Sequence, residues 1–119
     1  MFRLRYLFQS EINNFLLVGL GAALGALIRW IVDDSFLVNI LGSVLLGLFF
    51  GLKVDLKLQL LLGVGFCGAL TTFSGFLLTC LRMIHDEAFL KAFNLISITM
   101  ALGIFSCFIG FSIGRQFKN

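Results

Sequence analysis

The residues of this sequence that could do chemistry within its apolar stretches are all uncharged. Asn39, Thr71, Thr72, Ser74, Thr79, Asn94, Ser97, Thr99 and Ser106 lie in long hydrophobic runs. Their amide N–H and hydroxyl groups can donate hydrogen bonds to an anion. A Ser or Thr hydroxyl can equally bond back to a carbonyl one helical turn earlier. Asn39 is harder to account for in that way, because its amide needs several partners. All six acidic residues, Glu11, Asp33, Asp34, Asp55, Asp86 and Glu87, fall outside the runs. No carboxylate is therefore available at depth to carry a proton or hold an organic cation. Cys67, Cys80 and Cys107 sit in apolar surroundings without paired spacing. They read as small buried hydrophobes, not as a disulfide or zinc framework. His85 reads as a solvated loop residue.

The richest stretch is Gly63-Val64-Gly65-Phe66-Cys67-Gly68-Ala69-Leu70-Thr71-Thr72-Phe73-Ser74-Gly75-Phe76. Three glycines within six residues, followed by two adjacent threonines, make a weak patch in a helix. Glycine costs about 1 kcal/mol there relative to alanine, and β-branched Thr somewhat less. A break at Gly68–Thr71 would free backbone carbonyls that lipid cannot satisfy, so they must face protein or an ion. Free carbonyls are good ligands for a small hard cation. Phe73 and Phe76 are three apart and share a helix face. A phenyl ring has a positive edge, which beside hydrogen-bond donors suits a compact anion. Two phenylalanines among fifteen would otherwise be read as core, and the combination gives them weight.

The elements that must position these residues follow from composition. Of 119 residues, 60% are hydrophobic and 13% are charged, with no proline. Soluble domains are about one-quarter charged, and a soluble fold here would expose large apolar patches. The net charge of +3 comes from scattered Lys and Arg, not from a basic stripe, so nucleic acid is not an expected partner. Four apolar runs, over about residues 12–31 (uncharged from Ile12 to Ile28 and closed by Arg29 and Trp30), 35–52, 58–81 and 92–114, each have the length of a membrane-spanning helix. Strand alternation is absent, and a barrel would need many more segments. The expected fold is an all-α membrane protein: one domain of four transmembrane helices over residues 1–119, with the third broken at mid-membrane. Arg3 and Arg5 before the first run imitate a signal peptide, but three further spans argue against cleavage. The connections leave no room for an extramembrane domain, so any function belongs inside the bilayer. Arg3, Arg5, Lys53, Lys57, Arg115 and Lys118 fall on the side of the termini, against Arg29, Arg82 and Lys91 on the other. Six against three predicts cytoplasmic termini in the cell membrane. Glycines four apart, Gly21 and Gly25, Gly47 and Gly51, Gly110 and Gly114, predict flat strips for close helix packing. Four short helices make thin walls for a pore, so a dimer is expected.

The string at 65–76 resembles the third-helix signature of the Fluc-type (CrcB) bacterial fluoride channels, which ends Thr-Thr-Phe-Ser-Thr-Phe. Gly25-Ala26-Leu27-Ile28-Arg29-Trp30 is similar to the family's first-helix Gly-Ala-x-x-Arg-aromatic motif. Asn39-Ile40-Leu41-Gly42-Ser43, followed by Gly47, resembles its second-helix motif. The motifs fall in the right order, and the four-span plan covers nearly the whole chain. The resemblance implies an antiparallel, dual-topology-type dimer that encloses two fluoride pores. It implies that the backbone carbonyls of Gly68 and Thr71 hold a structural, untransported sodium ion at the dimer centre. It implies pore roles for Phe73, Phe76, Asn39 and Ser74, with Arg29 near the aqueous entrance.

Two departures stand out. Gly75 replaces the usual Thr, and the fourth span has no counterpart of the usual pore tyrosine, leaving Asn94, Ser97 and Thr99 as candidates. The resemblance implies a passive channel, not an enzyme, that exports fluoride and lowers its cytoplasmic level. Its partners would be fluoride, membrane lipid, and a second subunit that is either identical or a paired homologue. The alternatives are a small multidrug exporter, disfavoured by the missing intramembrane acid, and a non-conducting assembly subunit.

Overall fold

Lipid offers no hydrogen-bond partners, so a chain this apolar must close its backbone bonds within its own segments. It does so as helices. The computed structural model describes residues 1–118, and no strand occurs among the described residues. Helix α1 runs Phe2–Val32 and α2 runs Ser35–Gly51. A third unit follows in pieces: α3 (Leu56–Leu58), a π-helical stretch (Gln59–Cys67), α4 (Gly68–Leu70) and α5 (Phe73–His85). Helix α6 runs Phe89–Lys118. Phe2–Val32, Leu56–His85 and Phe89–Lys118 are each long and apolar enough to cross a membrane, and α2 is a shorter apolar helix of 17 residues. At about 1.5 Å per residue α2 is roughly 25 Å long, near the lower limit of a span. The chain is a multi-pass membrane protein.

The turns are short and capped by acids. Asp33 adopts the left-handed conformation and donates its N–H to the Arg29 carbonyl, ending α1. Asp34 then starts α2 by accepting the Leu37 N–H at 3.1 Å. Asp55 does the same for α3, accepting the Leu58 N–H at 3.1 Å. Each cap satisfies one of the donors that a helix start leaves without a partner. Lys53 and Glu87 are the other left-handed residues, at φ 53° and 58°. Helix formation outruns the apolar runs: α1 begins well before residue 12, and α6 covers more than 92–114. Glu11 thus lies on a helix, though outside the apolar run, and His85 is the exposed last residue of α5.

Packing follows the glycines. A Cβ on Gly21 would collide with the Leu61 carbonyl oxygen, and one on Gly25 with the Phe66 carbonyl oxygen. Gly65 reciprocates, lying against the Val18 carbonyl. Between α2 and α6, Gly47 meets Cys107, Gly51 meets Phe111, Gly110 meets Val44 and Gly114 meets Leu48. In both sets the residue numbers rise together, so the paired helices run parallel. Helix α1 therefore lies beside the third unit and α2 beside α6. Each is the pairing of alternate spans that up-and-down threading produces. Small residues let these backbones approach closely where lipid gives no hydrophobic drive to associate.

Candidate functional site

The third unit carries the local irregularity that its glycines foretell. From Gln59 to Cys67 the helix is wound in the wider π form, which is rare and is concentrated at functional sites. The helix recovers over Gly68–Leu70 and then stops. Thr71 and Thr72 are extended (φ −76°, ψ 152°; φ −141°, ψ 118°), and α5 starts at Phe73. The interruption therefore falls at Thr71–Thr72, at the C-terminal edge of the expected break.

Asn39 spans this interruption. Its Nδ2 donates to the Thr72 carbonyl at 3.1 Å, and its Oδ1 accepts the Thr72 N–H at 2.7 Å. One side-chain amide thus holds both backbone groups of Thr72. In an unbroken helix the Thr72 N–H would close onto the Gly68 carbonyl. The Gly75 N–H would likewise close onto Thr71, but it is taken by the Thr72 hydroxyl at 3.0 Å, which caps α5. The carbonyls of Gly68 and Thr71 therefore both lose their regular donors. Gly68 is exposed on the outer surface of the chain.

A cavity of about 660 Å³ opens at this point between α2, the third unit and α6. Asn39, Gly68, Thr71, Phe73 and Phe76 all line it, together with Ser43, Thr72 and Thr99. The rings of Phe73 and Phe76 are 6.3 Å apart and tilted by 44°. Phe76 is buried, at 6% exposure, whereas Phe73 is 67% exposed. Ser74 is exposed and does not line the cavity; its Oγ lies 3.4 Å from the Thr72 hydroxyl. Arg29 is half-buried at the end of α1, also away from the lining. A second cavity of about 610 Å³ lies at the α1–α2 turn, lined by Asp33, Asp34, Ser35, Thr79 and Arg82. Phe76 lines both cavities. Arg82 thus lines the same second cavity as Phe76, a cation that sequence reasoning passed over. The signal was present: Phe76, Thr79 and Arg82 succeed one another every three residues along one face of α5.

The hydroxyls sort themselves. Ser43 donates to the Asn39 carbonyl at 2.7 Å, Thr71 to Cys67 at 2.9 Å and Thr79 to Gly75 at 3.1 Å. Each bonds four residues back, the ordinary fate of such a group. Thr99 differs: it is 7% exposed, lines the larger cavity, and its Oγ1 is buried with no partner. Of the three candidates in the fourth span, Asn94 and Ser97 are exposed and lie outside this lining. Cys67, Cys80 and Cys107 are free thiols.

The arrangement offers neutral donors, ring edges and freed carbonyls around one cavity. Comparison with known proteins gives it a context. Residues 16–111 match the family described as CrcB-like protein, Camphor Resistance (CrcB). The chain is 49% identical over 109 residues to a protein of Prochlorococcus marinus (strain MIT 9313) named fluoride-specific ion channel FluC 2, covering 92% of this chain and 88% of that one. It is 43% identical over 115 residues to the FluC 2 of Parasynechococcus marenigrum (strain WH8102), covering 92% and 87%. A fluoride-specific ion channel FluC 1 of Prochlorococcus marinus (strain NATL2A) is 40% identical over 105 residues, covering 87% and 91%.

Proposed function

The chain belongs to the CrcB-like family, and from that premise we propose that it is a fluoride-specific ion channel that lets fluoride leave the cell passively. The observation that carries the reading is the interrupted third span, held by Asn39 and opening on a cavity that Phe73 and Phe76 line. A dehydrated fluoride needs its water replaced by fixed donors and positive ring edges at short range. Asn39 holds the backbone at the break, and Phe76 lines both cavities. No step requires covalent chemistry. The test is fluoride efflux from proteoliposomes that hold the chain together with a paired homologue. Fluoride should pass, chloride should not, and a proton gradient should not matter; comparable chloride flux or strict proton coupling would overturn the channel reading.

The working unit in this reading is a dimer with a second homologous subunit, arranged antiparallel. Polar Asn94 and Ser97 face outward from α6 at the depth of the bilayer, where uncovered amide and hydroxyl groups are costly. Gly63, Gly68 and Gly103 have nothing closer than 3.7 Å to a built Cβ, so unlike the glycines packed within the chain they leave room for another helix. The separate FluC 1 and FluC 2 names among the relatives favour a paired homologue over an identical copy. Gly68 and Thr71 fit a structural sodium ion, because both carbonyls have lost their regular donors and sodium needs no charged ligand. Such an ion would offset the cost of unpaired carbonyls in a low-dielectric interior. Prolonged replacement of sodium by a large organic cation should then abolish activity or assembly. Full activity after that exchange would remove the cation from the account.

A further inference from the structure

The first turns of α1 reach past the start of the third unit. Val18 is opposed by Gly65 of the parallel third unit. The start of that unit, Leu56, is nine positions before Gly65 and so lies level with about Gln9, nine before Val18. Phe2–Phe8 therefore projects about 10 Å beyond the neighbouring helix at 1.5 Å per residue. This projection is strongly apolar. Phe2 is 90% exposed, Tyr6 76% and Phe8 71%, with Leu4 and Leu7 also exposed. Arg3 and Arg5 interrupt it. A helix apolar on all sides belongs neither in water nor, with two arginines, in hydrocarbon.

The charge around it is one-sided. Gly51 lies against Arg115, which puts the α2–α3 turn and the end of α6 at the same end of the molecule as the start of α1. That end carries Arg3, Arg5, Lys53, Lys57, Arg115 and Lys118 against Glu11 and Asp55. The opposite end carries Arg29, Arg82 and Lys91 against Asp33, Asp34, Asp86 and Glu87. We propose that Phe2–Phe8 is a lipid-binding element: its aromatic rings sit in the headgroup layer while Arg3 and Arg5 bind the phosphates of anionic phospholipid. Aromatic residues favour that layer because one part of each ring system is apolar and the layer is wet. Basic residues near an anionic leaflet are each worth about fivefold in affinity.

The position of the helix is read with a Tyr6→Trp variant in which the one native tryptophan, Trp30, is changed to Phe. In phosphatidylcholine–phosphatidylglycerol vesicles, lipids brominated close to the headgroup should quench its emission more than lipids brominated deep in the chains. Unquenched emission places Tyr6 in water or beneath another subunit and overturns the proposal. The charges are read on purified full-length protein by comparing retention of phosphatidylglycerol and phosphatidylcholine. The native chain should prefer phosphatidylglycerol, and Arg3→Gln with Arg5→Gln should weaken that preference about 25-fold. A double variant with unchanged preference overturns the phosphate contacts. Neither arginine packs against the rest of the chain, so the variants keep the helical core.

Discussion

Asn39 and Thr99 are opposite cases of a polar group at depth. Asn39 gives its amide oxygen and one of its two amide N–H groups to the backbone of Thr72, so it acts by shaping the site. Thr99 has a buried hydroxyl with no partner on the wall of the cavity. An unsatisfied buried hydroxyl costs about 1–3 kcal/mol, and this one forgoes the backbone bond that Ser43, Thr71 and Thr79 all make. In the channel proposed above, a group kept at that cost would be reserved for the permeating anion. Thr99→Val should therefore be at least as heat-stable as the native protein, yet pass fluoride about tenfold more slowly, the equivalent of about 1.4 kcal/mol. Thr99→Ser should conduct normally. Thermal melts and efflux rates on the same preparations decide it, and a destabilised valine variant would show that the hydroxyl is structural. Phe76, which lines both cavities, should be less forgiving. Phe76→Ile keeps apolar bulk and removes the ring edge, so flux should fall strongly while assembly is retained. Undiminished efflux would make this ring a packing residue.

Helices succeed or fail here by how closely their backbones can approach. Gly47 and Gly51 face Gly110 and Gly114 across the α2–α6 contact, and carbonyl oxygens of each helix fill the space where a Cβ on the other would sit. Gly110→Ala has no flexible side chain to displace, because what it meets is the Val44 backbone. Overpacking of this kind costs about 1–3 kcal/mol, occasionally more, and it should lower the melting temperature and reduce folded yield. An alanine at Gly19, which has open space around it, is the matched control and should be tolerated. These strips were legible in the sequence because four-residue spacing is a helical period. The weakness of the third span was legible too, since Gly63, Gly65, Gly68, Thr71 and Thr72 all favour departure from a regular helix. The form of the departure was not. A π-helical stretch followed by two extended residues depends on how α1 presses against Gly65 and on where Asn39 sits in α2, and both are contacts between distant parts of the chain. The helical extensions at Phe2 and Lys118 were missed for a different reason: hydropathy marks the part of a helix that suits hydrocarbon, not where its hydrogen bonding ends.

The whole molecule is long and uneven, 61 Å by 35 Å by 23 Å, with its basic residues gathered at the end that holds both termini. That bias should fix one orientation in the membrane, termini in the cytoplasm. A reporter fused after Lys118 that is active only in the cytoplasm should then give signal, and one active only outside should not. Equal signal from both reporters would mean that the chain inserts either way. In the antiparallel dimer proposed above, a single orientation would make the partner another gene product, so the chain expressed alone should show little flux until an oppositely biased homologue is supplied. The helix pairing bears on how the protein is made. The first two spans hardly touch each other: α1 rests mainly on the third unit and α2 mainly on α6. Synthesis proceeds from the N-terminus, so when the ribosome has delivered the first two spans, neither has met its companion. Their glycine strips face only lipid until the second half of the chain arrives. The early translation product is therefore a pair of unmatched helices, and it is the fourth span that gives α2 its companion.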